Sequence, residues 1–133
     1  MNGYLLDTDI CSLHLRGSSV VSPQLVRQAK SLSISVVTVS EILTWTLRQN
    51  AAAKWHRQFL RFLDATQVLP VDIHVAERAG QIRAKSFDRG QPLAVADMLI
   101  AATALVYGLT LVTHNAKHFS NIDSLVIEDW SAP

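Results

Sequence analysis

Short runs of apolar residues alternate along this chain with longer stretches in which apolar side chains recur every three or four positions. The short runs are rich in leucine, valine and isoleucine, and their length is that of β-strands. The longer stretches predict amphipathic helices. Five strands are predicted at Tyr4–Leu6, 34–37, 68–71, 109–112 and 125–127.

The predicted helices have recognisable ends. Ser22 followed by Pro23 is typical of a helix start, with serine as the cap and proline at the first helical position of a helix at 24–30. Thr38 and Glu41 have the spacing of a capping box, in which each side chain bonds a free backbone N–H of the other residue. Three further helices are predicted at 52–65, from Asp72 to Phe87, and at 93–107, the last ended by Gly108.

Strands that alternate with helices, and that are apolar along nearly their whole length, favour a parallel sheet covered by helices on both faces. We therefore predict an α/β fold with a five-stranded, mostly parallel sheet. The chain has 133 residues, of which 49% are hydrophobic, so one domain over residues 1–133 has enough apolar side chains for its core. In such open sheets ligands bind beyond the carboxyl ends of the strands.

Composition excludes several classes of protein. Cys11 is the only cysteine, which rules out an internal disulfide framework and a multi-cysteine zinc site. The net charge of +1 gives no overall attraction for polyanions, so any binding of nucleic acid depends on local clusters of charge. The longest uncharged run, 98–113, is shorter than a membrane-spanning helix and contains Gly108. We expect a cytoplasmic protein without a membrane partner.

Acidic residues recur after the predicted strands. Asp7 follows the first strand, Glu41 lies one helical turn beyond the second, and Asp97 lies in the first turn of the helix that leads into the fourth. The fourth strand is followed by three polar residues, Thr113, His114 and Asn115. If these positions meet at one edge of the sheet, their oxygen atoms suit a hard cation such as Mg²⁺ or Mn²⁺. Carboxylates brought together without a cation would repel each other.

Each acid also has a purely structural interpretation. Asp7 or Asp9 is a suitable helix cap at a strand–helix junction, and the capping box accounts for Glu41. Asp97 is harder to explain in this way, because its helix, "LAVADMLIAATALVYG", is apolar almost all round and predicts burial. A buried unpaired carboxylate is costly, and the helix dipole offsets only about 0.3–1 kcal/mol of that cost.

Asp7 and Asp9 also form an Asp-x-Asp pair after the first strand, as in haloacid-dehalogenase-like phosphatases. In that alternative Asp7 is a covalent nucleophile and Asp9 is the acid/base. Cys11 stands where that family usually has threonine or valine, and no lysine precedes a late acidic pair.

Four blocks together resemble the PIN-domain ribonucleases, and in particular the VapC-type toxins of bacterial toxin–antitoxin pairs. They are "YLLDTDI", "SVVTVSEIL", "GQPLAVADMLIAATAL" and "LVTHNAKHF". Asp7, Glu41 and Asp97 match the three metal-binding acids of that family. Asn115 stands where many relatives carry an aspartate, which leaves one metal position weaker by a charge.

The resemblance implies hydrolysis of RNA phosphodiester bonds with one or two Mg²⁺ or Mn²⁺ ions. Asp7, Glu41 and Asp97 are then the catalytic metal ligands, and Asn115 is a weaker ligand. The resemblance also implies a homodimer and a cognate antitoxin protein, with a higher assembly between them. A degenerate PIN domain that binds RNA or a partner without cleaving remains an alternative, supported only by Asn115.

Supporting roles are assigned on weaker patterns. Asp9 and Thr113 are placed to orient the metal ligands. Three basic residues on one face of the helix at 52–65 form either an ordinary solvated surface or a patch that positions phosphates; they are Lys54, Arg57 and Arg61. His114 is a candidate contact to a substrate phosphate.

Overall fold

The computed structural model describes residues 3–132, and within this range the chain forms five strands and seven α-helices. The strands are β1 (Tyr4–Leu6), β2 (Leu32–Ser35), β3 (Gln67–Leu69), β4 (Thr110–Val112) and β5 (Ile127–Glu128). The helices are α1 (Thr8–Leu15), α2 (Val21–Arg27), α3 (Val36–Thr46), α4 (Ala53–Asp64), α5 (Ile73–Asp88), α6 (Val95–Tyr107) and α7 (Ala116–Phe119). Residues 1, 2 and 133 lie outside the described range, so the extent of the domain over 1–133 stays a prediction.

The sheet has the strand order β3-β2-β1-β4-β5, and every neighbouring pair is parallel. The predicted α/β fold is confirmed, and the sheet is wholly rather than mostly parallel. From β1 the chain moves outward to β2 and β3, and it then crosses to the other side of β1 to form β4 and β5. The direction of winding therefore reverses between β1 and β4. A crevice opens beyond the carboxyl ends of two such strands, and it is the usual ligand site of this architecture.

Alternation along the two central strands divides the core between the two faces of the sheet. Leu5 and Leu111 point into a core built with α5 and α6, whereas Leu6 and Val112 point into a core built with α1, α2, α3 and α4. All four side chains are completely buried. Helices therefore cover both faces, as the continuous apolar runs predict.

The start of α3 corrects one sequence prediction. β2 ends at Ser35, two residues before the predicted end, and the Ser35 side chain accepts a hydrogen bond from the Val37 N–H at 3.0 Å. Ser35 therefore caps α3, and Thr38 lies inside the helix. The predicted capping box of Thr38 and Glu41 is wrong, because the hydroxyl of Ser35, three residues earlier, caps the helix and Glu41 accepts from the Thr8 hydroxyl instead. The remaining predicted strands at 68–71, 109–112 and 125–127 overlap β3, β4 and β5 with shifted ends.

The start of α2 is a second correction. The helix begins at Val21, and the Ser18 hydroxyl oxygen accepts a hydrogen bond from the Val21 N–H at 3.1 Å. Ser22 is therefore not the cap; its hydroxyl pairs with Nδ1 of His14 at 2.8 Å. Pro23 remains within the first turn, where its missing N–H costs the helix no internal bond.

The other predicted helices are confirmed. Asp72 caps α5 by accepting a hydrogen bond from the Val75 N–H at 3.0 Å. Gly108 ends α6 in the left-handed conformation, with φ of 66°. Asp97 is the third residue of α6, in its first turn as predicted. Among residues 3–132 there is no helix with the length and apolar character needed to cross a membrane.

Candidate active site

Asp7 directly follows β1, at the carboxyl end of the strand and next to β4. Its backbone N–H donates to the Val112 carbonyl at 2.9 Å, which continues the ladder between the two strands by one step. Its side chain is only 4% exposed, and Oδ1 accepts a hydrogen bond from the Ile10 N–H at 2.9 Å. Asp7 therefore caps α1, and it is not among the side chains that line the cleft around Asp97. Its role as a metal ligand stays a prediction.

The electrostatics around Asp7 are unfavourable for a carboxylate. Burial is the largest effect and raises the pKa of Asp7 to about 6, although hydrogen bonds from Thr113 and Ile10 oppose the rise. The negative charges of Asp9 and Asp97 raise the pKa of Asp7 further. Asp9 is a near neighbour of Asp7 in sequence, whereas Asp97 is 90 positions away, so the fold brings at least one distant acid close enough to act on Asp7.

Asp97 is paired with a histidine that the four motifs do not predict as a site residue. Nε2 of His118 lies 2.8 Å from Oδ2 of Asp97, and the Asp97 side chain is 34% exposed. The prediction that Asp97 is buried is therefore wrong. The first turn of α6 is partly exposed, with Val95 52% exposed, whereas the residues from Ile100 to Ala104 are completely or almost completely buried.

The polar segment after β4 closes the other side of the site. Nδ2 of Asn115 donates to Oδ2 of Asp9 at 2.8 Å, and the Asn115 N–H donates to the hydroxyl of the fully buried Thr113 at 3.0 Å. Asp9 thus takes part in the contact between α1 and the β4 loop. Five side chains line the resulting cleft, Asp9, Asp97, Asn115, Lys117 and His118.

Glu41 approaches the crevice from α3. Oε1 of Glu41 accepts a hydrogen bond from the Thr8 hydroxyl at 2.5 Å, and the same hydroxyl lies 3.2 Å from that of Thr38. Thr8 directly follows Asp7, so this bond holds Glu41 beside the first acid. Glu41 is not among the side chains that line the cleft around Asp97.

The donor atoms of the site suit a divalent cation by their chemistry. Asp7, Asp9, Asp97 and the amide of Asn115 supply hard oxygen donors, and burial, more than the neighbouring charges, raises the pKa of Asp7. Within residues 3–132, no three His, Cys, Asp or Glu side chains are arranged to hold a metal ion. Instead each acid bonds a protein partner: Asp97 bonds His118, Asp9 bonds Asn115, and Glu41 bonds Thr8. Each of these bonds occupies one oxygen of its acid, at Oδ2 of Asp97, Oδ2 of Asp9 and Oε1 of Glu41.

The predicted substrate contacts lie outside the cleft. Lys54, Arg57 and Arg61 are exposed on α4, and Nζ of Lys54 lies 4.7 Å from the centre of a Trp55 ring. Nδ1 of His114 pairs with the Ser131 hydroxyl at 2.6 Å. Their part in substrate binding stays a prediction. Lys117, which the sequence motifs do not predict, is the cationic side chain that lines the cleft.

Comparisons with known proteins agree with this arrangement. The family model of the PIN domain matches residues 4–125. A protein from Shigella flexneri named tRNA(fMet)-specific endonuclease VapC is 31% identical over 133 residues, which cover 96% of this chain and 98% of that protein. Ribonuclease VapC10 from Mycobacterium tuberculosis is 32% identical over 123 residues, or 91% of this chain and 89% of that protein.

Solved structures show the same fold. The crystal structure of DNA-bound VapBC from Salmonella typhimurium contains a chain that matches with a TM-score of 0.90 and 28% identity, over 98% of this chain and 99% of that one. FitAcB from Neisseria gonorrhoeae matches with a TM-score of 0.84 and 28% identity, over 96% and 97%. The chain belongs to the PIN-domain family, among its VapC-type proteins.

Proposed function

We propose that this protein is a metal-dependent endoribonuclease and the toxin of a toxin–antitoxin pair. The observation that carries the proposal is the carboxylate of Asp7 at the carboxyl end of β1, where burial, with smaller contributions from the charges of Asp9 and Asp97, raises its pKa to about 6. Relatives named as ribonucleases align with nearly the whole chain, which supports the proposed activity.

We assign the catalytic and metal-binding roles to Asp7, Glu41 and Asp97, with Asn115 as a weaker ligand. Proteins of this family generally depend on divalent metal ions. Hard oxygen donors favour Mg²⁺ or Mn²⁺, and the neutral amide of Asn115 makes a second ion less favourable than the first. When bound, the cation polarises the scissile phosphate, stabilises the charge that develops in the transition state and lowers the pKa of the attacking water.

Neighbouring residues hold the acids in place. The Ile10 N–H and Thr113 fix Asp7, and the Thr8 hydroxyl fixes Glu41. His118 orients Asp97, and Asp9 orients Asn115. Orienting partners of this kind preserve the geometry of metal ligands. Lys117 supplies positive charge in the cleft for a phosphate of the RNA backbone.

The similar solved structures indicate which proteins this chain binds. Similar structures are assemblies named VapBC and FitAcB, and we infer that this chain also binds a cognate antitoxin. We further propose a homodimer that joins a larger complex with the antitoxin. An RNA substrate places the activity in the cytoplasm. The name of the Shigella relative makes tRNA(fMet) the first single RNA to test.

The decisive experiment compares the parent protein with Asp97→Asn on total cellular RNA. Mg²⁺ or Mn²⁺ is supplied first, and EDTA is then added. Asp64→Asn is a matched control, because it removes an exposed carboxylate at the end of α4. We expect the parent and the control to cleave with metal, and Asp97→Asn or added EDTA to abolish cleavage. Equal cleavage by Asp97→Asn would refute the assignment.

The same preparation separates the alternatives. An acid-stable phosphoaspartate at Asp7 after incubation with a phosphate ester would indicate a haloacid-dehalogenase-like phosphatase. RNA binding by the parent without cleavage, under every metal tested, would indicate a degenerate PIN domain.

A further inference from the structure

A second pocket, of about 260 Å³, opens beside the active-site cleft. It lies between α5 and the segment that runs from α7 to residue 123. The pocket and the cleft share two lining residues, Lys117 and His118. The cleft and the pocket are therefore adjacent, and a ligand in the cleft lies next to the pocket.

The pocket is strongly cationic. Four basic residues line it, Arg78, Lys85, Arg89 and Lys117, against a single carboxylate, that of Asp123. Nζ of Lys85 lies 3.1 Å from Asp123, and the Arg89 guanidinium lies 3.8 Å from it. Arg78 and Lys117 form no ion pair with any side chain in residues 3–132. Two cations thus remain for an anionic ligand, in a chain whose overall charge is only +1.

The pocket also has features that a bare phosphate does not need. Its lining includes the apolar side chains of Ile82, Leu93 and Ile122. Two amides stand together in the lining, because Nδ2 of Asn121 donates to Oε1 of Gln91 at 2.7 Å. Apolar surface next to amide donors and acceptors suits a nucleobase, which presents flat faces and a hydrogen-bonding edge.

We propose that this pocket receives an unstacked nucleotide of single-stranded RNA, adjacent to the phosphate held in the cleft. Arg78 and Lys117 contact the backbone phosphate, and the amides of Gln91 and Asn121 face the edge of the base. The inference rests on the proposed ribonuclease function and adds the part of the site that selects the base near the cut. RNA is favoured over a protein segment because the pocket continues into the acidic cleft through Lys117 and His118.

The test measures RNA binding without cleavage. A fluorescent, 2′-O-methylated hexanucleotide is titrated with the protein in EDTA, and anisotropy gives Kd at several salt concentrations. Arg78→Gln is compared with Arg83→Gln, a change on the same helix, where the guanidinium lies 5.2 Å from the Phe87 ring centre and outside the pocket. Arg78 makes only a 3.4 Å hydrogen bond to Gln81, so its replacement should not disturb folding.

Loss of one phosphate contact should weaken binding by about three- to tenfold. It should also reduce the slope of log Kd against log salt by about 0.7, the value for one contact to a single strand. Arg83→Gln should match the parent in both measurements. Equal Kd values and equal slopes for the two variants would overturn the proposal.

A second arm tests base selection. Hexanucleotides that differ at one position are compared, and we expect the parent to prefer one base there and Gln91→Ala to lose that preference. If Arg78→Gln and Gln91→Ala weaken binding of the antitoxin but leave RNA binding unchanged, the pocket is a protein-docking surface and the proposal is wrong.

The outcome is separable from that of the proposed function. If the parent cleaves RNA with metal but Arg78→Gln binds the hexanucleotide as Arg83→Gln does, only the pocket assignment fails. If the parent never cleaves but Arg78→Gln binds more weakly than Arg83→Gln, hydrolysis is refuted while the RNA pocket is supported.

Discussion

Replacing Asp7 with asparagine should stabilise the metal-free protein while it removes the activity. Burial and the nearby charges of Asp9 and Asp97 raise the pKa of Asp7 from 3.8 to about 6. At about 1.4 kcal/mol per pH unit, this difference corresponds to roughly 3 kcal/mol of destabilisation when the carboxylate is ionised. Asparagine keeps an oxygen that accepts from the Ile10 N–H, so the cap of α1 survives the change.

The sign of the pH dependence follows from the raised pKa. Above about pH 6 the carboxylate is ionised in both the folded and the unfolded protein, and the full cost acts on the fold. As the pH falls from 6 towards 3.8, the folded protein takes up a proton that the unfolded chain has released, and the cost disappears. The advantage of Asp7→Asn should therefore reach up to about 3 kcal/mol near pH 7.5 and approach zero near pH 4.

Urea unfolding in EDTA measures the difference in free energy of unfolding between Asp7→Asn and the parent, with the fluorescence of the three tryptophans as the signal. Asp64→Asn is again the control, since an exposed carboxylate should change the free energy of unfolding by less than about 0.5 kcal/mol. Adding Mn²⁺ should stabilise the parent and not Asp7→Asn, because a ligand stabilises only the state that binds it. Equal free energies of unfolding for Asp7→Asn and the parent near pH 7.5, or a full stabilisation of Asp7→Asn that persists near pH 4, would refute the proposed destabilisation by ionised Asp7.

Two further changes test the supporting contacts. Thr8→Val removes the hydroxyl that donates to Glu41, and it should lower the free energy of unfolding, measured with urea, by about 1 kcal/mol. It should also raise the Mn²⁺ concentration needed for half-maximal cleavage, and an unchanged Mn²⁺ requirement would contradict a positioning role. Ser35→Ala should lower the free energy of unfolding by about 1 kcal/mol, because it removes the cap of α3. Ser40→Ala, at an exposed site in the same helix, should leave the free energy of unfolding unchanged within the error of urea unfolding.

The fold was predictable because its signal is spread over the whole chain. The neighbouring strands β1 and β4 carry buried leucine or valine on both faces, and this pattern survives an error of two residues at any one boundary. The boundary of β2 was not predictable, because Ser35 and Thr38 both offer a hydroxyl where a helix could start. Only the pairing of Ser33 with Gln67 and Ser35 with Leu69 shows that the strand continues to Ser35.

The site was predictable only where its residues belong to motifs. His118 and Lys117 escape prediction, because the path of the chain after β4 brings His118 to Asp97, 21 positions away in sequence. No periodicity encodes that contact. Asp97 shows a related limit. The apolar pattern of α6 predicts burial of its middle turns correctly, but it does not predict that the first turn, with Asp97, is partly exposed.

Asp7 shows why a structural explanation of a residue does not count against a functional one. A helix that begins at the carboxyl end of a central strand has free N–H groups, and these are best satisfied by an acid or a hydroxyl. The same position lies at the carboxyl end of β1, where the strand order reverses. The geometry that calls for a capping acid is thus the geometry that presents a carboxylate to a ligand. Capping satisfies Oδ1 through Ile10, but burial, with smaller contributions from the charges of Asp9 and Asp97, still raises the pKa of Asp7, and a bound cation would stabilise the ionised carboxylate.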